Sequence, residues 1–245
     1  MNVTVYGACK LEFGDLGMQK AKDAKKLQRF QEKLLQTERE SFRFLAEHPF
    51  ELVHFSRGER LCTYGAPMEH LLLLMEGKAK IFLTLENGKT LLIAFIEAVE
   101  LLGDLELCTD GIARNSVQVT TEAYCLALPM SYCRDVMLND PVFLRLISVE
   151  LAKKLDNCSA TYAVNMLYPL PSRLASYLLH TEENSFFDEH LGALSEYLGT
   201  SYRHLLRVLN EFQQTGVIER AHSGYCIRDR AALIALAGSV YGQGG

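Results

Sequence analysis

Apolar and polar positions change rhythm twice along this 245-residue chain. Residues 20–47 are charge-rich, with Leu27, Leu34, Leu35, Phe42 and Leu45 at mixed helical spacing, which predicts one or two helices. The lysine-rich run at 20–29 reads as a solvated helix face rather than a nucleic-acid site. From Phe50 the period becomes strand-like, and 50–55, 60–64, 70–75, 78–85, 90–96, 101–102, 115–119 and 123–128 read as short strands. Gly58, Gly65, Gly77, Gly88, Gly103 and Gly111 punctuate them, and Asn87-Gly88 predicts a tight type I′ hairpin, because that turn demands positive φ. So many short strands predict a small antiparallel barrel or jelly roll.

Pro129 ends the strands, and Ser131 is placed to cap a short helix running to Leu138. A longer helix is predicted from Asn139-Asp140-Pro141, proline being tolerated in a first turn. Along it Leu144, Ile147, Leu151, Leu155, Cys158 and Tyr162 recur at threes and fours, close to a heptad seam. Such a stripe predicts a homodimer interface, the alternative being packing against the chain's own barrel. Pro169 and Pro171 break the helix and place a hinge there.

Beyond the hinge, 194–208 (LSEYLGTSYRHLLRV) reads as two short helices around a glycine turn. Leu194 and Leu198 share one face of the first helix, Leu205 and Val208 one face of the second. Gly199 can end the first helix at positive φ, and Thr200 or Ser201 can cap the next. The exposed side of the second helix then carries Tyr202, Arg203, His204 and Arg207, with no acid from Tyr197 through Asn210, a donor-rich face suited to base edges and phosphates. Two short strands, 217–220 and 225–228, flank His222-Ser223-Gly224 as a wing. The whole predicts an α+β chain: a helical extension at 1–45, a barrel at 46–138, a dimerisation helix at 139–168 and a winged helix-turn-helix at 169–245.

Composition narrows the function. The net charge of −5 and pI near 5.8 argue against a protein that coats nucleic acid, so DNA contact must come from a local patch. No apolar run reaches membrane-spanning length and the N-terminus lacks a signal-peptide core, which predicts a cytosolic protein with no membrane partner. Seven dispersed cysteines, an odd number, do not resemble a secreted disulfide framework. Cys108, Cys125, Cys133 and Cys158 could converge as a thiol switch, although no C-x-x-C spacing supports a metal site.

A glycine-punctuated barrel, a long helix and a winged helix-turn-helix, in that order, resemble the Crp/Fnr family of bacterial transcription regulators over residues 45–230. EYLGTSYRHLLRVL and YCLALPM look especially like its YeiL-like branch, and RGERL with Gly65 and Gly77 is similar to the family's cyclic-nucleotide-binding glycine pattern. The resemblance implies a homodimer on a roughly palindromic double-stranded DNA operator, with RNA polymerase as a further partner if the protein activates. It also implies an effector pocket at Gly103, Asp104, Arg114 and Asn115, closed by Cys158 and Ser159 on the long helix. There Asp stands where nucleotide-binding members have Glu, Asn where they have Ser, and Cys-Ser where cAMP-responsive members have Thr-Ser. These departures speak against cAMP and leave the cofactor unknown; Asp104 and Arg114 could equally brace a loop as an ion pair. Only Cys9 precedes Cys62, so the cysteine arrangement of iron-sulfur relatives is absent.

On the second helix the family has Glu at the position of Arg203, whose charge is here reversed, while Arg207 keeps its place to read guanine. Ser201, Tyr202 and His204 are implied phosphate or flanking-base contacts, and Arg220, His222 and Arg228 wing contacts. Two rivals remain at this point. One is a ligand-binding module acting through protein partners. The other is a cupin-like enzyme, against which the barrel's lack of a close histidine pair counts, His54 and His70 being far apart.

Overall fold

The computed structural model describes residues 19–238 except 22, 38–39 and 86–87, with backbone alone for 19–20, 40–41 and 159–166. Thus Cys9 and Asn87 of the predicted hairpin lie outside the described residues, as do the side chains of Ser159 and Tyr162.

The first half opens with β1 (Gln19–Lys20), α1 (Ala24–Leu35) and α2 (Glu40–Leu45). Strands β2 (Glu51–Phe55), β3 (Arg60–Cys62), β4 (His70–Glu76), β5 (Lys78–Thr84), β6 (Thr90–Glu97) and β7 (Glu100–Leu102) follow, then α3 (Asp104–Leu107), β8 (Ser116–Val119) and β9 (Ala123–Pro129). Two antiparallel sheets, β1-β2-β9-β4-β7 and β3-β8-β5-β6, face each other. Their inner faces supply one core that includes Leu52, Leu72, Leu74, Ala79, Val117 and Leu126. The N-terminal helices are built into it, because Phe30, Leu34, Phe42 and Leu45 bury in the same cluster.

Helix α4 (Met130–Asp135) carries Pro129 rather than Ser131 at its N-cap and has no side-chain cap bond, so the expected serine cap is not made. A short 3-10 turn, Met137–Asn139, leads into α5 (Pro141–Leu167). On α5, Phe143, Leu146 and Ile147 point into the barrel core, while Leu144, Val149 and Leu155 are exposed. The predicted seam therefore divides: Ile147 packs inside its own protomer, and Leu151 is half-buried against the same core.

The second half comprises α6 (Leu170–Thr181), β10 (Phe186–Phe187), α7 (Leu191–Tyr197), α8 (Tyr202–Gln214), β11 (Ile218–Arg220), β12 (Tyr225–Ile227) and α9 (Arg230–Ala237). Its sheet runs β10-β12-β11, and its core gathers Leu174, Leu178, Leu194, Leu198, Leu205, Val208, Phe212 and Leu233. Gly224 lets β12 lie against β10: a Cβ there would meet the Phe187 carbonyl oxygen at 2.0 Å. The second core also takes in Leu92 from the barrel's β6.

Candidate nucleic-acid interface and sensor pocket

Helices α7 and α8 meet through a C-terminal cap of defined geometry. Gly199 adopts φ +56°, its amide donates to the Glu196 carbonyl at 2.8 Å, and the Thr200 amide donates to the Ser195 carbonyl at 2.9 Å. These paired bonds around a left-handed residue satisfy carbonyls that a helix end leaves open. Arg173 of α6 braces the turn, its guanidinium donating to the Leu198 carbonyl at 2.6 Å. Ser195, nearly buried where the helices cross, donates its hydroxyl to the Gly192 carbonyl at 2.7 Å.

Ser201 starts α8 as its N-cap, the hydroxyl oxygen accepting from the His204 amide at 3.2 Å. Leu205, Val208, Leu209 and Phe212 seat the helix on the core. Tyr202, Arg203, Arg207, Asn210, Glu211 and Gln214 face outward along one shallow groove, with Tyr202 about half exposed. His204 is half-buried, 3.4 Å from the Thr200 hydroxyl. Asn210 and Glu211 extend the outward face beyond the residues that sequence reading selected, and Glu211 lies 3.8 Å from the Arg207 Nε. Their i+3 and i+4 offsets from Arg207 were the available signal.

In the wing, Arg228 is paired with Glu219 across the strands at 2.5 Å. Arg220 lies over the Tyr225 ring at 5.8 Å, and His222 is exposed at the tip. Arg220 is exposed and, among the described residues, has no acid paired with it, whereas the charge of Arg228 is already matched by Glu219.

The residues that the resemblance assigns to an effector pocket are engaged with other parts of the chain. Gly103 occupies the N-cap of α3, and Asp104 behind it is buried. Asp104 Oδ1 accepts from the Lys154 ammonium of α5 at 2.6 Å, and Lys154 also donates to the Leu101 carbonyl at 2.5 Å. Arg114 is half exposed and pairs with Asp110 at 2.7 Å, while its backbone amide donates to the nearly buried Glu106 carboxylate at 3.1 Å. Asp104 and Arg114 thus take different partners. The Asn115 carbonyl accepts from the Cys62 thiol at 3.5 Å, and Cys158 is half-buried on α5. Lys154 and Glu106 were not singled out from sequence, although Lys154 lies on the long helix that was predicted.

Burial pushes the Cys62 and Cys133 thiols up to about 12 and raises Cys125 further, so none is a thiolate near neutrality. Cys125 and Cys133 sit in the barrel core and Cys108 is exposed. Among the described residues, no three His, Cys, Asp or Glu side chains converge on a possible metal position, and no helix is long and apolar enough to cross a membrane.

Comparison with known proteins agrees with this architecture. Residues 52–140 match the model of the cyclic nucleotide-binding domain, and 172–236 that of the Crp-like helix-turn-helix domain. The chain is 37% identical over 186 residues to regulatory protein YeiL of Escherichia coli O157:H7, covering 76% of this chain and 85% of that protein. It is 22% identical over 192 residues to the CRP-like cAMP-activated global transcriptional regulator of Mycobacterium tuberculosis (strain ATCC 25618 / H37Rv), covering 74% and 85%. Its fold is similar to that of a CRP-family transcriptional regulator from Thermus thermophilus, with a TM-score of 0.61 at 22% identity over 77% of this chain and 97% of the other. Crp-like helix-turn-helix regulators bind DNA and act as dimers, and theirs is a family of regulators rather than enzymes. With a cyclic-nucleotide-binding-type barrel ahead of a Crp-like helix-turn-helix, and this level of identity to YeiL, the chain belongs to the Crp/Fnr family as a DNA-binding transcription regulator of the YeiL type.

Proposed function

We propose that this regulator works in the cytoplasm as a homodimer on a roughly palindromic operator, setting one α8 into each of two major grooves about one DNA turn apart. The observation that carries this reading is the outward face of α8, where Tyr202, Arg203 and Arg207 stand on a helix locked down by four buried apolar residues. Arg207 is the guanine reader, since its planar fork matches the two acceptors of that base. Ser201, Tyr202, Arg203 and His204 contact phosphates or flanking bases, and Arg220 with Arg228 and His222 brings the wing to the backbone. An activating role adds RNA polymerase as a partner.

In this reading the barrel of residues 46–138 is the sensor, α5 within 139–168 supplies the dimer contact, and 169–245 is the DNA-binding domain. Exposed Leu144 and Leu155 support a second subunit on α5. In this reading cAMP is not the signal: the carboxylate at the ribose position already holds Lys154, and the arginine at the phosphate position pairs with Asp110 at the surface. Selection of genomic DNA fragments by the purified protein, followed by anisotropy titration of the recovered sequences, tests the proposal. An inverted repeat with half-sites about 10 base pairs apart is the expected product. Uniform weak binding to all fragments overturns it.

A further inference from the structure

The outer face of the barrel's β3-β8-β5-β6 sheet is covered by the chain's own DNA-binding domain. Along β5, Ala79 turns into the barrel core, while Lys80 and Phe82 face outward, joined by Leu92 and Phe95 of β6. Phe82 packs on Tyr197 of α7 with ring centroids 5.4 Å apart, and Phe95 stacks on His180 of α6 at 4.6 Å and 9°. At the far end of β6, the Leu91 side chain reaches within 3.6 Å of where a Cβ on Gly199 would stand.

One charged group is sealed into this contact. Lys80 is 2% exposed, and its ammonium donates to the Tyr177 hydroxyl at 3.0 Å and to the Glu189 carboxylate. Tyr177 in turn donates to the other oxygen of the same carboxylate, and the Tyr197 ring lies 4.3 Å from the Lys80 nitrogen. At the rim, Arg57 of the β2–β3 turn pairs with Asp188 at 2.5 Å and Glu183 at 3.2 Å. Burial, with the charge of Arg57 adding to it, draws the Lys80 ammonium down to about 7 despite the carboxylate beside it. An ion pair in such a place holds only while its geometry is kept, whereas a purely apolar patch tolerates slippage.

We propose that Lys80, Tyr177 and Glu189 form a latch that clasps the DNA-binding domain to the sensor barrel in a resting arrangement that opposes operator binding. Two features give it that sense. The Leu91 contact sets β6 against Gly199, in the turn that launches α8, so while the clasp is shut the reading helix is held at one fixed distance and angle from the barrel. The Phe82, Leu92 and Phe95 contacts belong to the same clasped face, and the covalent link between Leu167 and Leu170 is short, which leaves the domain room to swing when that whole face is released. A signal that disturbs β5 or β6 then reaches the reading head directly, without passing through α5. The inference rests on the regulator reading above.

The test uses the full-length protein and three variants, Lys80→Met, Glu189→Gln and the rim change Arg57→Gln, the last keeping the test open should the buried changes impair folding. Hydrogen exchange is followed on both apposed faces, 79–96 and 170–198, and affinity is measured on selected operator fragments. Exchange should quicken on both faces while amides of β4, β9 and α8 keep their protection, and operator affinity should rise about tenfold. Unchanged exchange on the two faces overturns the latch. Quickened exchange with unchanged or weakened operator affinity overturns its inhibitory sense. If the wild type binds no DNA fragment, the regulator reading fails and takes the inhibitory role with it, while exchange still decides whether the clasp exists.

Discussion

Lys154, midway along α5, holds Asp104 of α3 by a 2.6 Å ion pair, so the long helix is tied to α3. Asp104 is buried, and its second oxygen has no hydrogen-bond partner among the described residues. Removing the ammonium leaves a carboxylate charge stranded in a dry place. Lys154→Met should therefore cost about 3 kcal/mol in urea unfolding, and adding Asp104→Asn should restore much of it. Equal unfolding midpoints for wild type and Lys154→Met would show that the pair carries no stability.

Arg114, by contrast, lies at the surface with Asp110 and should be dispensable for the fold. Arg114→Ala should leave the thermal midpoint unmoved, because exposed pairs are screened by water and salt. Millimolar cAMP should likewise leave the melting temperature of the wild type unchanged, since a ligand raises stability only by binding the folded state. An upward shift abolished by Arg114→Ala would return the pocket to cyclic nucleotides.

Arg207→Ala should weaken selected operators by about 1–3 kcal/mol and flatten base preference at one position of each half-site. Glu211 sits one turn further along α8 and holds Arg207 loosely. Glu211→Gln should change affinity less than Arg207→Ala does. Equal loss on every sequence, read by anisotropy at fixed salt, would make Arg207 a phosphate contact only.

Leu155 is 69% exposed in the protomer and belongs to the apolar stripe proposed to meet a second subunit. Leu155→Asp should shift sedimentation from dimer to monomer while far-ultraviolet circular dichroism stays as it was. Its partner in sequence reading, Ile147, is buried in the barrel core, so Ile147→Asp should unfold the chain rather than split the dimer.

Acidification should loosen the fold where His180 stacks on Phe95. Burial pulls the His180 pKa below its ordinary 6.5, the nearby Lys78 acts in the same direction, and the bond to the Ser176 carbonyl and the Glu97 charge oppose. The folded state therefore binds fewer protons than the unfolded one. Its contribution is complete above pH 6.5 and is lost as pH falls below that value. The melting temperature should drop between about pH 7 and 5, and more shallowly in His180→Gln; identical slopes would remove His180 as a cause.

Much of this was legible in the chain. The barrel strands, the proline-broken long helix and the glycine-hinged helix pair follow from periods of two and near four with turn residues between them. The two-residue β1 and β10 and the four-residue α3 fall below any period. The seam on α5 misassigned Ile147, because an apolar stripe does not name its partner: Ile147 lies with Phe143 and Leu146 on the side that meets the barrel core. Ser131 lost its cap because α4 begins at Met130, two residues before a Ser131 cap would have started it. The pocket residues were found by resemblance, yet their actual partners, Lys154 and Asp110, are set by local packing that no motif encodes. Lys80 was the least visible: in KAKIFLT it reads as a solvent-facing strand position, and what covers it lies about a hundred residues away in sequence.

Leu92, with Phe95 packed beside it, completes a hydrophobic interior whose other described members come from residue 170 onward. In the clasped arrangement the two halves thus share one interior. Fragments cut at the hinge would each bare a greasy wall, and chimeras that exchange reading heads between relatives would need to carry the outer surface of β6 along with them.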